Sequence, residues 1–265
     1  MTPDAVLTRL AEADPASYLL QGPPTGPEQG WHRSAALREA SVWPGIARAY
    51  AAGIGSTSLV VGGSCALQGY AGRVAALSVG RWALTGRGLP LADLDTGVRL
   101  ADGRTVGIWV PAFDEAMAPC SPAGVAEHLV AHLEGILTAS RTVSRITEKV
   151  AWGNVAAAVA GAWRRAHDGV APASRPDVRR AAVSCLAAPV WPWASVPISW
   201  EAVEAPWGES LAHRRHTCCL IRLAPEKRAC ASCSDLGEDE VRSRWQETLA
   251  GAAPKPLELV SDGAQ

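Results

Sequence analysis

Four of the chain's seven cysteines fall within sixteen positions: Cys218–Cys219, ten residues, then Cys230–Ala231–Ser232–Cys233. Thiolates this close in sequence are the ligand set of one tetrahedral metal or one small cluster, so the chain must fold back on itself here. Zinc and iron–sulfur are the two main readings. Structural zinc sites draw on separated Cys-x(2–4)-Cys knuckles, and adjacent cysteines are unusual in them. Neighbouring Cα atoms lie ~3.8 Å apart, and successive strand side chains point to opposite faces. Cys218 and Cys219 can therefore serve one centre only if the backbone turns or bulges there. A two-iron cluster accommodates the pair more readily, because it offers two irons. A disulfide framework is the weakest reading: MTPDAVLTRLAEADPASYLLQG lacks a basic-then-apolar secretory pattern, which makes a reducing, cytoplasmic setting the expectation.

At 265 residues and 48% hydrophobic content the chain is large enough for a substantial core. It carries eleven Trp against one Phe, so the aromatic part of that core consists largely of indoles whose N–H groups need partners. The net charge of −1 gives no reason to expect nucleic acid. Locally the balance differs. Between His213 and Cys230, Arg214, Arg215, Arg222, Lys227 and Arg228 face Glu226 alone, a net +4. Such a collar either offsets the thiolates or receives an acidic partner. Gly53-x-Gly55 lacks the third glycine of a dinucleotide fingerprint (Ser58 stands there), and no Walker A loop or G-x-S-x-G elbow occurs. A redox role would thus need electrons from elsewhere.

Local signals outline a helix-dominated α+β fold: a helical body, a β-hairpin and a C-terminal cysteine-rich segment. Helices are expected at about Pro3–Ala13 with Thr2 as N-cap, and at Ser34–Ala51, bent or broken at Pro44. Gly22–Gly30 is a Pro/Gly loop. The uncharged run Ala49–Gly72 is long enough to suggest a membrane span, but six glycines and several hydroxyls make buried helix the expectation; no transmembrane segment is expected, though peripheral membrane contact is compatible with the sequence. Val98, Leu100, Val106, Ile108 and Val110 alternate around Ala101–Asp102–Gly103 as a hairpin. Ser121–Pro122 opens a helix to about Ala139. On it His128 and His132 share a face and could ligate a metal, but no third ligand is signalled and ordinary surface or core histidines are the simpler expectation. A helix at about Ser144–His167 carries the stripe Trp152, Ala156, Val159, Trp163, with Asn154 beside it either bonded to backbone or facing a ligand. Arg175–Leu186 and Glu238–Leu249 are further helices. Val190–Trp207, rich in Pro and Trp, is either a connector pinned by its indoles or an aromatic wall for a ligand. From about Leu211 a strand enters the cysteine block, and the tail from Ala252 is Pro-broken. Cys65, Cys120 and Cys185 stand alone in apolar surroundings and read as inert buried thiols. A division into 1–209 and 210–265, packed as one unit, follows.

The Cys-Cys-x10-Cys-x2-Cys block preceded by Arg214 and Arg215 resembles the FhuF family of ferric-siderophore reductases. Trp152-x-Asn154 in KVAWGNVAAAVAGAW, Gly107–Ile108–Trp109–Val110 and Ser121–Pro122 are similar to that family too, as is the chain length. The resemblance implies a 2Fe–2S cluster on Cys218, Cys219, Cys230 and Cys233. It further implies a cytoplasmic oxidoreductase that reduces siderophore-bound Fe(III), of hydroxamate type, using a donor such as a ferredoxin. Arg214, Arg215 and Trp207 are then candidates for docking partner or substrate. The alternatives are a zinc-stapled binding or scaffold protein of siderophore metabolism and an iron–sulfur redox sensor.

Overall fold

The computed structural model describes residues 3–14, 22–111, 119–225, 227, 229–251 and 257. Helix α1 spans Pro3–Ala13; its expected cap Thr2 lies outside the described residues, as does nearly all of the tail from Ala252. Strand β1 (Trp31–Arg33) is followed by three pieces where one bent helix was expected: α2 (Ser34–Leu37), a 3-10 turn at Ala40–Val42, and α3 (Trp43–Gly53). The break precedes Pro44 because a proline lacks only an N–H that a first turn leaves unpaired anyway.

The uncharged run divides at Ile54–Ser58. Ser58 then caps α4 (Leu59–Thr85) by accepting the Val61 N–H at 3.4 Å. Of the 27 residues in α4, 17 are buried, including every one from Val74 to Arg81, which makes it the central helix of the body. It packs most extensively on α6, then on α3 and α5, whose ranges follow below. A Cβ at Gly62 would collide with the Ala47 carbonyl of α3, so that close crossing requires glycine. Among the described residues no helix is long and apolar enough to cross a membrane.

Strands β2 (Gly97–Ala101) and β3 (Arg104–Trp109) form the expected hairpin, and β1 adds a third antiparallel strand. Three residues are too few to show a period of two, which is why β1 carried no signal. Asp102 and Gly103 both have positive φ (49° and 68°), the conformation of a two-residue type I′ turn. This tip rests on α3, where a Cβ at Gly53 would lie 2.6 Å from the Asp102 carbonyl oxygen.

Helix α5 (Pro122–Ser144) is capped by Ser121, which accepts the Gly124 N–H at 3.1 Å, and it runs beyond the expected end at Ala139. Helix α6 (Glu148–Gly169) starts later than expected, with Thr147 as its cap. Trp152, Ala156, Val159 and Trp163 are all core. Helix α7 (Arg175–Leu186) ends as its pattern indicates. In the Pro/Trp segment, Trp191 donates to the Cys185 carbonyl at 2.7 Å and stacks on Trp193 at 4.5 Å. That half is the indole-pinned connector; the other half is strand β4 (Ile198–Ala205), paired antiparallel with β5 (Gly208–Arg215). Since β5 spans positions 209 and 210, the expected division there falls inside a strand. Helix α8 (Glu238–Leu249) completes the chain order. The main core lies among α3–α7. A smaller one, built from Val203, Ala212, Leu236, Val241 and Trp245, joins the β4–β5 hairpin and α8 to Cys233.

His132 shows how the body is tied together. Its Nδ1–H donates to the Leu91 carbonyl at 3.0 Å, so Nε2 must accept, and it takes the Tyr70 hydroxyl at 2.6 Å. Tyr70 in turn meets Ser34, which is bonded to Thr96. Both ring nitrogens are thus engaged by protein. His128 lies one turn away with its Nδ1 buried and without a bonded partner among the described residues. Burial lowers the His132 value from 6.5 to about 4. The unfolded chain therefore binds the proton first. Stability is complete above pH 6.5 and falls toward pH 4 by ~1.4 kcal/mol per pH unit from this group. In urea titrations between pH 7.5 and 4.5, His132→Gln should flatten the acid limb by about that slope. A limb unchanged by the substitution would show that His132 is protonated in the native state.

Candidate metal centre and the groove beside it

Strand β5 ends at Arg215, and the backbone then leaves the strand direction. The His216 N–H donates to the Pro197 carbonyl at 2.9 Å, and Leu220 takes φ 68°. A non-glycine residue in the left-handed region costs ~1–2 kcal/mol, so the turn demanded by the adjacent cysteines is made directly after them at an energetic cost. On the opposite side the Cys233 N–H donates to the Cys230 carbonyl at 3.0 Å, closing a tight turn. The Arg215 N–H donates to the Ser232 carbonyl at 3.0 Å, which fastens that turn to the end of β5.

The Leu220 N–H donates to Cys218 Sγ at 3.3 Å. The backbone N–H groups of Ile221, Ser232 and Asp235 favour the thiolate form of Cys219, Cys230 and Cys233 in the same sense. Aligned N–H dipoles stabilise sulfur in its thiolate form and tune any metal it binds. Cys219 and Cys230 are free thiols close enough to act on each other, which pushes Cys219 up and Cys230 down. Burial pushes Cys233 up. The Arg222 guanidinium is pushed up by Cys218, and then by Asp235, with which it pairs. Among the described residues no three Cys, His, Asp or Glu side chains are gathered tightly enough to hold a single metal ion.

Behind the cysteines lies Arg215, only 1% exposed. Its Nε donates to the Thr217 carbonyl at 2.6 Å, one terminal nitrogen to Gln68 Oε1 at 3.1 Å, and the other to Asn154 Oδ1. Asn154 Nδ2 donates to Ser64 Oγ at 2.8 Å, and Ser64 Oγ donates to the Cys219 carbonyl at 2.8 Å. One polar network therefore joins α4, α6 and the cysteine loop. Asn154 bonds backbone and a buried cation, which is the structural alternative of the two open for it. All three acceptors of Arg215 are neutral, and among the described residues no carboxylate pairs with it. Its positive charge instead opposes the rise that burial imposes on Cys65 and the rise of Cys219, and adds to the lowering of Cys230. A buried cation beside Cys219 and Cys230 is the counter-charge an anionic metal–thiolate centre calls for, so in charge the residues present fit such a group.

The other docking candidates sit differently. Arg214 donates to the Leu236 carbonyl at 2.7 Å and holds the segment before α8. Buried Arg215 has no surface to present to a partner. Trp207 occupies the β4–β5 turn, at the opposite end of β5 from the cysteines. Of the remaining collar, Arg228 and Glu226 lie outside the described residues. Cys185 is a buried thiol pushed up to about 12, but Cys120 is only partly buried. Cys65 departs further from expectation: it stands in the wall of the same groove as Cys219 and Cys230, with burial raising its thiol to about 11. No sequence signal could have linked it to residues more than 150 positions away.

That groove, about 510 Å³, runs outward from Cys65, Cys219 and Cys230. One side is formed by the end of α3 and the hairpin tip, through Gly53, Ile54, Gly103 and Arg104; the floor is α4 at Gln68, Gly69, Gly72 and Arg73. The far side is α6 with His213 and Trp245. Burial, then Arg164, Arg215 and Arg165, hold His213 neutral down to about 3.

No protein-family model matches the chain, and no curated protein matches it.

Gly153 and Asn154 are the α6 residues on which the cysteine loop rests. A Cβ at Gly153 would collide with the buried Thr217 hydroxyl, so Gly153→Ala should displace the loop and speed alkylation of Cys218 and Cys219 while helical circular dichroism persists. Asn154→Leu leaves a buried guanidinium and Ser64 short of partners and should cost about 2–4 kcal/mol in urea unfolding. Asn154→Asp, which keeps the acceptor for Arg215, should cost less. Equal losses in the two Asn154 variants would show that the Arg215 bond is not what the side chain contributes.

Proposed function

We propose that this chain is a ferric-chelate reductase: Cys218, Cys219, Cys230 and Cys233 hold a 2Fe–2S cluster, and one electron passes from it to Fe(III) bound by a siderophore-type ligand. The observation that carries the reading is the four-cysteine loop folded against a buried cation with neutral partners, with the Leu220 N–H donated to Cys218 Sγ. Adjacent cysteines that turn away from a strand favour a two-iron centre over a single zinc.

The cluster, when bound, supplies a one-electron carrier. The chain's own residues do the rest. Arg215 offsets negative charge at Cys219 and Cys230, and the Leu220 N–H and Arg222 do so at Cys218 on the exposed side. Asn154 and Ser64 hold the loop to the helical body, which limits rearrangement when the charge changes. Hard oxygen ligands hold Fe(III) far more strongly than Fe(II), so one added electron is sufficient to loosen the metal. No nucleophile or general base is required. With no dinucleotide fingerprint in the sequence, the electrons come from an external donor such as a ferredoxin.

Protein purified without oxygen should be red-brown with about two irons and two sulfides per chain. Serine at any of the four positions should bleach it, whereas Ala at Cys65, Cys120 or Cys185 should not. Stoichiometric zinc without sulfide overturns the cluster. Protein reduced with dithionite should be reoxidised by ferric siderophores, with Fe(II) appearing in a ferrous trap, and iron-free siderophore should leave its spectrum unchanged. A reduced cluster indifferent to all ferric chelates would instead mark a redox sensor.

A further inference from the structure

The groove beside the cysteines is lined by cations. Arg73, Arg104, Arg164, Arg165 and Lys227 line it, and among the described residues lining it there is no carboxylate. The whole chain is slightly acidic, at −1, so this concentration is local. Arg164 is partly neutralised by Asp168 at 2.8 Å and lies over the Trp245 ring at 5.4 Å. Asp14 acts on Arg73, and Asp102 stands in the hairpin turn beside Arg104.

The shape points to a small ligand. At about 510 Å³ the groove is within the range of ~300–1,000 Å³ typical of small-molecule sites. Gly72 opens its floor: a Cβ there would meet nothing within 4 Å. Aromatic surface from Trp245 and Tyr50 is available beside the cations.

We infer that the groove binds anionic Fe(III) chelates built from oxygen donors, of the tris-catecholate or hydroxycarboxylate class, in preference to neutral tris-hydroxamates. This rests on the reductase reading for the identity of the metal, and narrows the hydroxamate expectation drawn from resemblance. A trianionic ferric chelate gains one more negative charge on reduction, and surrounding cations favour that product as well as the encounter. The chelate meets the protein next to Cys219 and Cys230, where the distance for electron transfer is shortest.

Redox-silent gallium(III) chelates test binding apart from reduction. The full-length protein as purified is titrated by calorimetry at low salt with the gallium complex of a hexadentate tris-catecholate, the gallium complex of a hexadentate tris-hydroxamate, gallium citrate, and inorganic phosphate. The tris-catecholate and citrate complexes should bind, with the neutral complex at least tenfold weaker and phosphate weaker still. Arg104 and Lys227 are exposed, so the double reversal Arg104→Glu/Lys227→Glu should leave the fold intact and weaken the anionic chelates about tenfold or more. Gly72→Met should fill the floor and abolish binding while leaving the unfolding midpoint unchanged or higher. Equal affinity for neutral and anionic chelates, tight phosphate binding, or indifference to both variants overturns the assignment. If anionic gallium chelates bind as expected but their ferric forms are not reduced, the groove stands and the reductase reading fails. Reduction that ignores chelate charge sustains the reductase and removes the groove's selectivity.

Discussion

A guanidinium buried beneath the cysteine loop, beside Cys219 and Cys230, is the constraint on which this structure turns. Removing Arg215 from water costs several kcal/mol, which neutral hydrogen bonds alone recover only in part. Its acceptors come from three places that the fold must bring together: Gln68 on α4, Asn154 on α6 and the Thr217 carbonyl just before the cysteines. The α4–α6 packing, made close by small residues, is therefore a precondition of the cysteine loop's position. Gly153 adds a steric requirement to the electrostatic one, since only a missing side chain lets Thr217 seat against α6. The electrostatic coupling runs both ways, because the same cation favours thiolate at Cys219 and Cys230.

The cysteine segment is for this reason part of the body rather than an appendage. Strand β5 passes beneath the smaller core and pairs with β4, which hangs from the indole-pinned connector after α7. Helix α8 closes the other side, with the Trp245 indole donating to the His213 carbonyl at 2.9 Å. Five indoles (Trp43, Trp82, Trp191, Trp193 and Trp245) donate to backbone carbonyls, so in this chain indole N–H groups do much of the work of tying loops to helices.

Positive charge near the sulfurs has two separate uses. Arg214 and Arg215 look from their sequence like a docking collar, yet both are bonded inward, one to a carbonyl before α8 and one to the helical network. The cations that reach open space beside Cys219 and Cys230 come mostly from elsewhere: Arg73 on α4, Arg104 at the hairpin tip, Arg164 and Arg165 on α6. Sequence neighbourhood to the cysteines thus does not decide which cations line the groove.

What was legible in the sequence was local. The four-cysteine spacing, the Ser121–Pro122 helix start, the Asp102–Gly103 turn and the bounds of α7 and α8 rest on groups within a few positions of one another, where capping, turn chemistry and 3.6-residue periodicity operate. The expectation of a turn or bulge at Cys218–Cys219, if both serve one centre, came from Cα spacing and strand alternation, and Leu220 takes the left-handed conformation directly after the pair. The tertiary structure decided which distant residues meet: Ser64 with the Cys219 carbonyl, 155 positions apart, Gln68 with Arg215, 147 apart, and Cys65 with the cysteine groove. Such pairs leave no periodic trace, because a polar residue on a buried helix face looks the same in sequence whether it faces a carbonyl, a cation or a void. Only the packing of α4 against α6 settles which it faces.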